Sequence, residues 1–171
     1  PYNDLLPGFA AEVFGRGAEG LATLTASAGL GALVSAVFLL IRGRTRGLVA
    51  IMVTGAISAS LAFVLFTTTT NFTLGLVFLA FAAMMLLAGH VGSYSLVQNL
   101  VAPAMRGRVI SISTAISVGG PALGALLMGW LAELIGLRPA LAVMSALALM
   151  VVLSVRPTLS RRTREMEAEP P

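Results

Sequence analysis

Three side chains that can donate or accept hydrogen bonds recur at every fourth position late in this chain: His90, Tyr94 and Gln98, with Ser93 beside them. On a helix that spacing puts all three on one face. His90 is also the single ordinary titrating group between Gly47 and Met105, a stretch with no carboxylate and no guanidinium. Such a face can line a path for a polar or amphiphilic solute, with His90 as hydrogen-bond partner or proton carrier. The competing use is packing, in which His90 and Tyr94 satisfy neighbouring groups in a bundle and Gln98 sits at the membrane interface.

Other chemistries lack parts. Intramembrane hydrolysis needs a serine activated by a histidine, and His90 and Ser93 sit three apart on one helix with no nucleophile elbow around them. With one histidine, no cysteine and no acid inside any uncharged run, no metal site is expected. No glycine-rich phosphate loop is present. Asn71-Phe72-Thr73 matches a glycosylation sequon at the edge of an apolar run, where chance explains it. The expectation is a chain that is not an enzyme and carries no cofactor.

The elements that must position His90 are set by where charge is missing. Uncharged runs cover 20–41, 47–105, 109–132 and 139–155. A helix needs about 20 apolar residues to cross a bilayer. The second run is too long for one crossing and divides at Thr67-Thr68-Thr69-Thr70-Asn71. Five spans follow, at about 20–41, 48–66, 72–100, 109–132 and 139–155. They are expected to be helices, because strand-type alternation is absent and each span must satisfy its own backbone. The chain is 57% hydrophobic and 11% charged, against about 25% charged for a soluble domain. The predicted class is an all-α integral membrane protein with the lipid bilayer as its main partner.

All 11 basic residues are arginine. They lie in short loops without a basic groove or an aromatic platform, so nucleic acid is not an expected partner. The absence of lysine points to a GC-rich bacterial genome. Loops on one side carry Arg42, Arg44 and Arg46, then Arg106 and Arg108, then a tail with Arg156, Arg161, Arg162 and Arg164. The other side carries Arg16 and Arg138. The positive-inside rule makes the first side cytoplasmic. Residues 1–19 then lie outside, and 157–171 form a cytoplasmic tail expected to be disordered. Residues 1–19 are too polar to span and show no signal-peptide pattern. They are expected to be the outer end of a truncated helix and its loop.

Small residues mark packing faces. Ser27, Gly31 and Ser35 recur every fourth position, and Gly120 and Gly124 make a GxxxG step that lets backbones approach closely. Pro121 is expected to kink its helix. Leu30–Leu33 and Leu123–Leu126 both read Leu-Gly-Ala-Leu, in spans that cross in opposite directions, as in an inverted repeat. These faces serve either static packing or a sliding contact between two bundles.

Larger motifs carry a resemblance. Residues 1–21, Gly29-Leu-Gly-Ala-Leu33, Gln98 followed by Val101-Ala-Pro-Ala-Met-Arg-Gly-Arg-Val109, Gly120-Pro-Ala-Leu-Gly124 and Gly129-Trp-Leu-Ala-Glu-Leu-Ile-Gly136 occur in an order and spacing that resembles the major facilitator superfamily. The similar branch is that of the enterobactin exporter and the macrolide efflux proteins, and the similarity covers residues 1–156. The resemblance implies a twelve-helix transporter, of which this chain would hold the end of helix seven and helices eight to twelve. These make most of the C-terminal six-helix bundle. It implies alternating access, with the span at 72–100 lining the cavity and those at 20–41 and 109–132 forming the seam between halves. Two departures stand out. Arg42-Gly-Arg-Thr-Arg-Gly47 lacks the aspartate of the superfamily's gate loop, and Asn99 falls where an apolar residue is expected.

The resulting expectation is a secondary transporter of the bacterial cytoplasmic membrane. It would export small amphiphilic molecules such as drugs or siderophores, with the missing N-terminal half of the same transporter as partner. His90, Tyr94, Gln98 and Ser27 are the expected substrate-pathway residues. Gly31, Ser35, Gly120, Gly124 and Pro121 belong to the seam. Arg42, Arg44, Arg46, Arg106 and Arg108 belong to the cytoplasmic gate or to topology. The alternatives are a membrane accessory or structural subunit that transports nothing, and a half-size transporter acting as a homodimer.

Overall fold

The computed structural model describes residues 2–43, 47–101 and 105–168, with the side chains of 48, 96–100, 106 and 157–168 outside that description. The described residues are helical almost throughout. A short entry segment comes first, as a 3-10 turn over Tyr2–Leu5, α1 over Leu6–Gly8 and a π turn over Phe9–Val13. Then follow α2 (Gly17–Arg42), α3 (Leu48–Thr68), α4 (Phe72–Leu100), α5 (Arg106–Ile135) and α6 (Leu137–Ala168). Among the described residues, five helices are long and apolar enough to cross a membrane, one within each of α2 to α6.

Local chemistry sets the helix ends. Gly43 closes α2 in the left-handed region (φ 55°), its N–H donating to the Leu39 carbonyl at 3.3 Å. Gly136, at φ 89°, separates α5 from α6 and donates to the Ala132 carbonyl at 2.9 Å. Asn71 caps α4, its Oδ1 accepting from Thr73 N–H at 2.9 Å and Leu74 N–H at 3.3 Å. That cap satisfies two of the donors a helix start leaves open, and it gives the asparagine of the apparent sequon a structural use.

Helix α6 runs to Ala168, into the segment read as a tail. Arginine, glutamate, methionine and alanine are strong helix formers.

Packing centres on α4. The buried stripe of α2 is Gly20, Leu24, Ala28, Gly31 and Ser35. At Gly31 the α2 backbone lies against the Ala80 carbonyl of α4, so that any Cβ there would collide with main chain. On the α3 side, a Cβ on Gly55 would stand 2.8 Å from the Met85 carbonyl oxygen, and one on Gly89 would meet the Met52 carbonyl at 3.5 Å. Leu79 and Ala82 of α4 are fully buried within these contacts. Around the start of α4 an aromatic cluster closes the bundle. Phe9 and Phe14 pack on Phe66, Phe14 meets Phe72 edge-on at 5.3 Å, and Tyr2 lies 4.9 Å from Phe63.

The fifth helix is different. From Gly107 to Leu127 no α5 residue is buried, and Met128 is the first that is. Helix α5 therefore joins the core through Met128 and Ala132 near its C-terminal end. The two Leu-Gly-Ala-Leu segments thus stand in unlike settings, one pressed against α4 and one open.

Replacing Gly31 by leucine forces α2 away from a carbonyl that cannot yield, a kind of overpacking that costs about 1–3 kcal/mol or more. Thermal unfolding in detergent should show a clear fall in Tm for Gly31→Leu. Gly29→Ala, which adds its methyl to open space, should stay at or slightly above the parent.

Candidate functional site

Helix α4 turns two of its polar side chains away from the packed core. His90 and Tyr94 are both exposed, one turn apart on the same face, while Leu79, Ala82, Ala83 and Ala88 are buried. Gln98 lies on the same helix, with its side chain outside the described residues. The α3 contacts give the depth of this face. Gly89 lies level with the stretch between Met52 and Ala56, about six residues along α3 from its first residue, Leu48. At 1.5 Å per residue, His90 sits roughly 9 Å inside the start of α3. The polar face therefore belongs to the arginine-rich end of the bundle, one to two turns along from the start of α3, and Tyr94 lies closer to that end.

Ser27 does not join it. Its hydroxyl donates to the Leu24 carbonyl of its own helix at 2.8 Å, and the side chain is half-buried. Gly31 lies opposite Ala80, which places Ser27 roughly 20 Å from His90 along the bundle axis at helical rise. The structure thus brings His90 and Tyr94 together and leaves Ser27 near the other end. Gly31 and Ser35 are buried between α2 and α4 of this same chain. Gly120 and Pro121 are exposed, with nothing within contact of a Cβ built on Gly120, and Gly124 is half-exposed.

Of the loop arginines, Arg42 is half-buried at the end of α2, with its guanidinium beside Gly47. Arg108 is exposed. Arg44 and Arg46 lie outside the described residues, as does the side chain of Arg106.

The arginine-poor end holds contacts the linear pattern does not announce. Arg138 Nη2 donates to the Thr69 carbonyl at 3.1 Å, and the Arg16 guanidinium lies 4.4 Å from the centre of the Phe72 ring. The available signal was the aromatic residues gathered at the outer ends of several segments, a composition that becomes a cluster only once those ends are brought level.

Among the described residues no group of three or more histidine, cysteine or acidic side chains could hold a metal ion. What the arrangement offers is one imidazole and one phenol on an exposed face, in a bundle whose buried polar side chains, among the described residues, are the hydroxyls of Ser35, Ser60, Thr67 and Ser145.

A family model described as the Major Facilitator Superfamily matches residues 5–171. The chain belongs to that superfamily and is a multi-pass membrane protein of a transporter family. No curated protein and no solved structure matches it.

The chain has no cysteine, so single cysteines report cleanly on this face. In the complete protein, His90→Cys and Tyr94→Cys should react with a small hydrophilic maleimide, whereas Leu79→Cys, fully buried, should not. Failure of both exposed positions to label would mean that the face meets lipid instead of water.

Proposed function

We propose that this member of the major facilitator superfamily is the C-terminal half of a secondary transporter that exports small amphiphilic molecules, such as drugs or siderophores, by alternating access. The observation that carries the proposal is the family match over residues 5–171, which spans all five membrane-length helices. The resemblance to the enterobactin-exporter and macrolide-efflux branch supplies the direction of transport and the substrate class.

The remaining assignments are consistent with that reading. Nine arginines flank one side and two the other, so the arginine-rich side is cytoplasmic and the entry segment lies outside. The N-terminal half of the transporter would cover the apolar and small-residue surfaces that α2 and α5 leave open. Substrate passes along the face of α4 that carries His90, Tyr94 and Gln98. A pathway with apolar walls and few charges suits solutes that carry their own apolar surface and need only a few hydrogen bonds for orientation. The carboxylates of α2 and α5, Glu19 and Glu133, lie within a turn of a helix end, so His90 is the group on this face able to carry a proton. Arg42, Arg44, Arg46, Arg106 and Arg108 serve the cytoplasmic gate or set the topology.

His90→Ala in the complete protein should slow export of a fluorescent amphiphile from loaded cells severalfold at matched membrane expression. Normal export at normal expression would reduce His90 to a packing residue.

A further inference from the structure

Arg16 and Arg138 stand on the side where charge bias disfavours arginine, and both touch one turn. That turn, Thr69 to Phe72, joins α3 to α4. The Thr69 carbonyl lies just past the last residue of α3, in extended backbone (φ −82°, ψ 142°), and Arg138 at the start of α6 donates to it. The Thr69 hydroxyl in turn accepts from Asn71 N–H at 3.2 Å, and Asn71 caps α4. Arg138 is thus wired through the turn to the first turn of α4.

Arg16 reaches the same turn from another element. Its guanidinium covers Phe72, the first residue of α4. Its backbone is held on both sides: Arg16 N–H donates to the Ala10 carbonyl at 2.8 Å, and the Arg16 carbonyl accepts from Gly20 N–H at 3.1 Å. Gly15 and Gly17, at φ 64° and 53°, supply the left-handed backbone that turns the chain on either side of it. Four helix ends, those of α2, α3, α4 and α6, therefore meet at one four-residue turn, with Arg138 at its first residue and Arg16 at its last.

We infer that Arg16 and Arg138 form a two-sided clamp on the Thr69–Phe72 turn, which fixes the arginine-poor ends of four helices as one plate and leaves conformational freedom to the opposite end. The contrast along α5 agrees with this. Its C-terminal end is tied to the clamped end through Met128 and Ala132, while nothing from Gly107 to Leu127 is buried. The inference does not depend on what the protein transports.

A double-mutant cycle in the full-length protein tests it. Arg16→Gln and Arg138→Gln should each lower Tm in detergent by a few degrees. The double variant should lower it by less than their sum, because both arginines act through one turn. Amide hydrogen exchange should quicken in the first turns of α2, α4 and α6, with the arginine-rich ends unchanged. Unaltered Tm in both single variants, strict additivity, or a uniform rise in exchange would overturn the clamp. Should the double variant fail to accumulate, Arg16→Lys and Arg138→Lys decide. The clamp requires a lowered Tm in each, since the planar guanidinium is lost while charge is kept. A parental Tm in both would leave the arginines as mere surface charge.

Discussion

Inside hydrocarbon, apolar surface gives helices little reason to associate, because lipid tails are as good a neighbour as leucine. Association then depends on how closely backbones can approach. In this bundle the limiting approach is Gly31 of α2 on the Ala80 carbonyl of α4, matched on the other side by Gly55 and Gly89 between α3 and α4. These contacts set more than spacing. They fix which level of α4 faces which level of its neighbours, and hence the depth at which His90 and Tyr94 emerge. A shift of one residue at Gly31 would move α2 along α4 by about 1.5 Å and bring a side chain where none fits.

The two ends of the bundle are built from different materials. At the arginine-poor end, aromatic rings fill the space between the entry segment, α3 and α4, and two arginines bind the connecting turn. Rings and guanidinium groups resist displacement there because each has a specific partner. Toward the arginine-rich end lies the exposed face of α4 that carries His90 and Tyr94. Specific contacts thus gather at one end of the bundle, and the exposed His90 and Tyr94 lie toward the other.

Much of this could be read from the chain itself. The uncharged runs predict the helices because a guanidinium or carboxylate inside the bilayer is costly, and the threonine run ending at Asn71 marks the break between α3 and α4. The i, i+4 spacing of His90 and Tyr94 puts them on one face, and the structure keeps them there. Ser27 shows where such reasoning stops. Spacing within a helix defines a face but not a level, and level depends on which glycine of one helix meets which carbonyl of another. The aromatic cluster was hidden for the same reason: Tyr2, Phe9, Phe63 and Phe72 lie far apart in sequence and become neighbours only when helix ends align. Helix α6 runs to Ala168 through arginines, glutamates and an alanine, all strong helix formers.

The apparent mass of the native polypeptide tests most directly the proposal that this bundle is one half of a two-half transporter. The gene product should be tagged at its C-terminus in its own host and its membranes blotted. A band at roughly twice the 17.6 kDa of this chain or more is predicted, because the architecture pairs two six-helix halves in one polypeptide. A band near 17.6 kDa would contradict it, since these five spans would then be the whole product.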